Sequence, residues 1–221
     1  MATLVDAPAR AHIVRTPLSA EQVRTFLGSV EGDRLAPLYT LAIVTGLREG
    51  ELLALRWSDV DLETGTVEVR HTLQRGTRTL ASPKTENARR RLRLGQESTA
   101  TLRELRRFQL AERIAAGPKW CDRDFVFTTP VGAPLHATNV LRSFKAALAR
   151  AGLPLQRFHD LRHACATLLL EQGEELGVIS KVLGHSTLST TLDIYGHLTD
   201  HMTRRVADRM DDLLRKPAVG A

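Results

Sequence analysis

Residues 60–94 read VDLETGTVEVRHTLQRGTRTLASPKTENARRRLRL, and this stretch decides the fold class. Its β-branched residues alternate with polar ones, and the alternation breaks at Thr64-Gly65, Arg75-Gly76 and Thr85-Glu86-Asn87. Period-two patterning interrupted by turn residues predicts a small antiparallel sheet near the N-terminal third. Both flanks carry helical patterns instead. Upstream, LSAEQVRTFLGSV (18–30) opens a helix with Ser19 as N-cap, and Gln22 completes a capping box. RLAPLYTLAIVTG (34–46) is an apolar helix stopped by Gly46, and REGELLALRW (48–57) is a short amphipathic one.

Downstream, a helix is predicted from Gln96 to Gly117, followed by DFVFTT (124–129) as a short strand or extended pass. Further helices are predicted within 137–152, 159–173, 175–185, 187–197 and 201–217. In the last of these, Met202, Val206, Met210 and Leu213 share one face. The chain therefore reads as one mainly α-helical α+β domain spanning 18–216, preceded by a leader or linker (1–17) and followed by a short tail (217–221).

With 221 residues the chain can bury a full core without staples. Its net charge of +6 points to a polyanionic partner, nucleic acid before a membrane surface. Arginine outnumbers lysine about five to one, and only arginine offers a planar fork for phosphate. Cys121 and Cys165 make no disulfide framework. With no signal peptide and no apolar run of spanning length, the expected location is cytoplasmic.

Several groups could carry chemistry. In RFHDLRHACATLLLEQG (157–173), His159 and Arg162 lie three apart at a helix start, where they form either an anion pocket or a solvated polar face. His159 and His163 have the spacing of two zinc ligands, but Asp160 stands where a metalloprotease needs Glu and no third ligand is evident. Asp59, Asp61 and Glu63 alternate like a calcium loop, yet Gly65 and Arg70 fall at the wrong positions. No metal or cofactor is therefore expected.

Cys165 belongs to the apolar repeat of its helix, as a small hydrophobe rather than a nucleophile. Arg48, just past Gly46, could hold phosphate or form a capping pair with Glu51. Lys84, at a turn tip, could project onto a ligand or simply be solvated. The arginines of ARRRLRL (88–94) are candidates for DNA-backbone contact, or strand residues facing solvent.

Taken in order, TGLREGELLAL, a hairpin lysine, HDLRH, LGH and YGH resemble the tyrosine recombinase (phage integrase) family. The most specific part is His-x-x-Arg, then Leu-Gly-His, then Tyr195 ten positions after His185 (195 − 185). The resemblance implies a catalytic set of Arg48, Lys84, His159, Arg162, His185 and the nucleophile Tyr195. Arg48 and Arg162 would clamp the scissile phosphate. His159 would shuttle the proton, His185 brace the transition state and Lys84 protonate the leaving 5′ oxygen.

The resemblance also implies site-specific recombination of double-stranded DNA through a 3′-phosphotyrosyl intermediate, without metal or ATP. It implies a homotetramer on DNA, with accessory DNA-bending or directionality proteins as possible partners and no membrane. The separate N-terminal core-binding domain of such proteins is expected to be absent from this chain. Two other readings are a type IB topoisomerase-like activity and a DNA-binding regulator whose catalysis is vestigial. The other tyrosine, Tyr39, sits in the apolar helix before Gly46 and is expected in the core.

Overall fold

The computed structural model describes residues 16–74, 79–82 and 89–185. Within them the expected α+β architecture holds. Helix α1 (Ala20–Ser29) begins at the Ser19–Gln22 capping box, with both reciprocal hydrogen bonds formed. Helix α2 (Ala36–Thr45) is apolar on every side, and Gly46 ends it in the left-handed conformation at φ 60°. Helix α3 (Glu49–Ala54) follows after the three residues Gly46, Leu47 and Arg48 and buries Glu51, Leu52, Leu53 and Ala54.

The strands form two ladders rather than the single sheet expected from the sequence. Strands β1 (Val60–Asp61), β2 (Thr66–Val69) and β5 (Arg90–Arg93) make one antiparallel sheet in the order β1-β2-β5. Strands β3 (Thr72–Leu73) and β4 (Leu80–Ala81) make a separate two-stranded ladder. The chain leaves the first sheet after Val69, pairs locally in the second, and returns to pair Val69 with Arg90. Close approach of α3 explains the offset. A side chain at Gly50 would meet Thr72 Oγ1 at 2.7 Å and the Leu73 carbonyl at 2.9 Å, so glycine lets α3 press against β3. The first turn, near Gly65, is where the sequence predicts it; the other two predicted turns lie outside the described residues.

Helix α4 (Gln96–Ala116) then packs against α2. The segment 124–129 is an extended pass held by isolated bridges, Arg56 to Phe125 and Thr128 to Pro134. Gln109 of α4 ties this pass down: its amide donates to the Val126 carbonyl (2.8 Å) and Thr128 Oγ1 (2.9 Å), and it accepts from the Trp57 indole (2.7 Å). Helices α5 (Ala137–Arg150), α6 (Asp160–Gln172) and α7 (Leu176–Leu183) complete the described bundle.

The core is centred on four aromatic rings. Tyr39 and Phe26 meet edge-to-face at 5.4 Å, as do Phe26 and Phe144 at 5.5 Å and Phe144 and Phe158 at 5.5 Å. Each such pair adds about 0.5–1.5 kcal/mol beyond its area burial. Tyr39 is fully buried, as expected for a core residue, and burial drives its phenol pKa far above the ordinary value. Phe158 anchors the chain in this cluster immediately before His159, so the start of α6 is tied to the core.

Candidate active site

The loop after α2 is the foundation of the site. Gly46 turns the chain back between α6 and α7, and a Cβ there would lie 2.4 Å from Leu183 Cδ2 and 3.3 Å from Cys165 Sγ. The Gly46 carbonyl accepts a hydrogen bond from Arg162 Nη1 at 2.7 Å. Two residues on, Arg48 is the N-cap of α3. Its backbone N–H donates to Glu51 Oε2 (3.0 Å) and its Nη1 to Glu51 Oε1 (2.9 Å). The capping pair expected as an alternative to phosphate contact is thus present. It orients a half-buried Arg48 whose side chain keeps 42% exposure, so capping and ligand contact are compatible.

Helix α6 supplies the second and third groups. Its entry is fixed by Asp160, which accepts from the Arg157 backbone N–H (2.8 Å) and guanidinium (2.9 Å). Burial alone would raise the Asp160 carboxyl, but the Arg157 bonds outweigh it and hold the pKa below its ordinary value. His159 is the N-cap and stays exposed on one side. Arg162 is only 3% exposed, so the solvated-face reading of this pair fails for Arg162. A buried guanidinium needs hydrogen-bond partners, and the Gly46 carbonyl is one.

His185 enters from a third direction. Helix α7 ends at Gly184, left-handed at φ 67°, and the His185 backbone N–H donates to the Ser180 carbonyl at 3.1 Å. The ring is half-buried. Partial burial, then the charges of Arg162 and Arg48, hold its pKa down at about 4. His159 is likewise held at about 4, by partial burial first and then by the charges of His163, Arg162 and Arg48. Both imidazoles are therefore neutral at pH 7, and both lie within electrostatic reach of the same two guanidinium groups.

The structure brings together Arg48, His159, Arg162 and His185. Lys84 and Tyr195 lie outside the described residues, as does the Met202–Leu213 face. A cleft of about 280 Å³ runs beside Arg48 and His159, with Thr72, Gln74 and His136 on its other walls. His159 and His163 meet edge-to-face at 5.1 Å, and among the described residues no third metal-binding side chain joins them. Cys165 is 3% exposed, and burial raises its thiol pKa to about 11.

One buried contact beside the site was hidden in the sequence. Arg90, within the arginine-rich strand, turns inward to Glu51 (Nη2 to Oε2, 2.9 Å) rather than outward to solvent or DNA. The signal was its place in the strand alternation, one position from an exposed Arg91 paired with Glu68.

The model of the phage integrase family matches residues 17–202, which takes in all six candidate residues. The chain belongs to the phage integrase family. Among curated members of that family, it is 34% identical over 209 residues to a protein named tyrosine recombinase XerC-like from Caldanaerobacter subterraneus subsp. tengcongensis, covering 88% of this chain and 54% of that one. It is 32% identical over 198 residues to the ICEBs1 integrase of Bacillus subtilis, again covering 88% and 54%. The chain thus spans about half the length of the curated relatives it matches.

The fold is shared with solved integrase-family structures. The Tn1549 transposon integrase, in complex with transposon right end DNA, superposes with a TM-score of 0.77 at 23% identity, over 94% of this chain and 69% of that one. XerA recombinase gives 0.71 at 24% identity, over 89% and 65%. Among the described residues, no helix is long and apolar enough to cross a membrane.

Proposed function

We propose that this chain cleaves and rejoins DNA strands at specific sites, with Tyr195 as nucleophile. The observation that carries the reading is the convergence of Arg48, His159, Arg162 and His185 from three separate segments on one electropositive spot.

The chemistry follows from these groups. Attack on a phosphodiester builds negative charge on the non-bridging oxygens. Positioned guanidinium groups stabilise that charge with charge-assisted hydrogen bonds, formed before the reaction begins. Arg48 and Arg162 take this role. A tyrosine is almost fully protonated at pH 7, so its oxygen needs a proton acceptor. His159, neutral at that pH, is the acceptor. A bound phosphate raises the pKa of a neighbouring imidazole by stabilising its charged form, which brings His159 back toward the range where it can take and return a proton. His185 donates a hydrogen bond to the phosphate.

The Tyr195 oxygen forms a bond to phosphorus as the bond to the 5′ oxygen breaks, and Lys84 gives that oxygen its proton. The products are a 3′-phosphotyrosyl link and a 5′ hydroxyl. One phosphoester replaces another, so a 5′ hydroxyl from a second strand reverses the step without ATP. The guanidinium pair supplies the positive charge, and chelators are expected to leave the yield of intermediate unchanged. Exchange of two duplexes takes four cleavages, for which a homotetramer on DNA, aided by DNA-bending or directionality proteins, is the matching assembly.

The test is to map the intermediate. The protein is trapped on nicked duplex DNA, digested with trypsin and nuclease, and sequenced by mass spectrometry. A nucleotide on the peptide 182–204, whose one tyrosine is Tyr195, is the expected result. Specific DNA binding with no adduct would favour the regulatory reading instead.

A further inference from the structure

Arg90 opens β5, and its side chain is only 7% exposed, against 71% for Arg91 beside it. Its guanidinium faces two segments at once. Nη2 and Nη1 donate to the two oxygens of Glu51, at 2.9 and 3.4 Å. Nε donates to the Val182 carbonyl in α7 at 2.8 Å.

Each contact leads to a residue of the site. Glu51 is 4% exposed and grips Arg48 through both its backbone and its side chain. Burial alone would raise the Glu51 carboxyl, but Arg90 and then Arg48 hold it below its ordinary value, so it stays ionised between the two arginines. Val182 lies three residues before His185 (185 − 182), in the turn of helix that presents it. Arg90 also begins the strand that follows Lys84 by six residues (90 − 84).

A buried ion pair contributes little net stability compared with apolar packing, because desolvation offsets the attraction. What it fixes is geometry, and only a planar fork can bond in both directions here; an ammonium is a single point charge. We propose that Arg90 is a positioning residue for DNA cleavage, acting through Glu51 on Arg48 and through the Val182 carbonyl on His185. This rests on the reading of the site given under Proposed function.

The experiment measures single-turnover adduct formation by the full chain on a nicked duplex that the wild-type protein has selected from a randomised pool. Affinity for the same duplex and thermal melting are measured alongside. For Arg90→Lys the adduct rate at saturating protein falls about tenfold or more, since small misplacements of catalytic groups carry losses up to about a hundredfold. Affinity stays within about threefold, a split that a general loss of stability would not produce. With Glu51→Gln the effect is non-additive, the double variant Arg90→Lys/Glu51→Gln being no slower than the slower single one.

If Arg90→Lys melts below the assay temperature, Arg90→Gln/Glu51→Gln, which removes both buried charges together, replaces it with the same expectation for rate and affinity. A wild-type rate, a loss accounted for by weaker DNA binding, or additive effects would overturn the inference. Absence of adduct with the wild-type chain overturns the reading of the site as well, whereas a normal wild-type adduct with an unaffected Arg90 variant overturns this inference alone.

Discussion

Arg162 reaches from the first turn of α6 to the Gly46 carbonyl, 2.7 Å away and 116 positions earlier in the chain. The bond joins the helix carrying His159 to the loop carrying Arg48, so the spacing of the two guanidinium groups is set by the backbone at Gly46. That backbone is left-handed and packed beneath Leu183, which in turn precedes His185 by two residues.

Gly46→Ala is therefore expected to damage stability and site together. Left-handed backbone costs an L-residue about 1–2 kcal/mol, and forcing a methyl against Leu183 adds about 1–3 kcal/mol. Urea unfolding is expected to show a loss of about 2–5 kcal/mol on these grounds. A loss below about 0.5 kcal/mol, the ordinary range for an unconstrained surface site, would mean that the loop is not held as described.

The histidines make stability depend on pH in a defined window. His159 and His185 titrate at about 4 in the fold, against 6.5 for an unperturbed imidazole. Between those values the unfolded chain binds protons that the folded chain refuses, so stability is full above about 6.5 and falls as the pH drops toward about 4. Urea midpoints at pH 7 and pH 5 are expected to fall in that order. His185→Gln should narrow the difference, and an unchanged difference would show that this ring does not carry the effect.

Cys165 is expected to be inert. Its thiol is buried and held at about 11, while Cys121 is partly exposed. Brief alkylation of the native protein should label Cys121 and spare Cys165, as read by peptide mass. Cys165→Ala should keep adduct formation within about threefold, since loss of a small buried group costs only about 1–2 kcal/mol. A hundredfold loss would give the thiol a role in the reaction.

Much of the fold was legible because its signals are local. The Ser19–Gln22 box and the Gly46 stop each depend on a few neighbouring residues. The division of the strands into two ladders was not, because it follows from α3 packing at Gly50, a contact made by residues 22 positions apart (72 − 50). The same holds within the site. Arg48, His159, Arg162 and His185 became candidates through the family resemblance that their motifs carry, but the inward turn of Arg90 depends on which face of β5 meets Glu51 and Val182. Arginine on a strand reads as solvent-facing until a buried carboxylate is found opposite it.

The central claim is that the electropositive spot built by Arg48, His159, Arg162 and His185 exists to serve the Tyr195 hydroxyl. Its most direct test compares the wild-type chain with Tyr195→Phe on nicked duplex DNA, scoring protein–DNA adduct that survives detergent. The account predicts an adduct with wild type and none with Tyr195→Phe, while both bind DNA equally. An adduct of undiminished yield in Tyr195→Phe would contradict it.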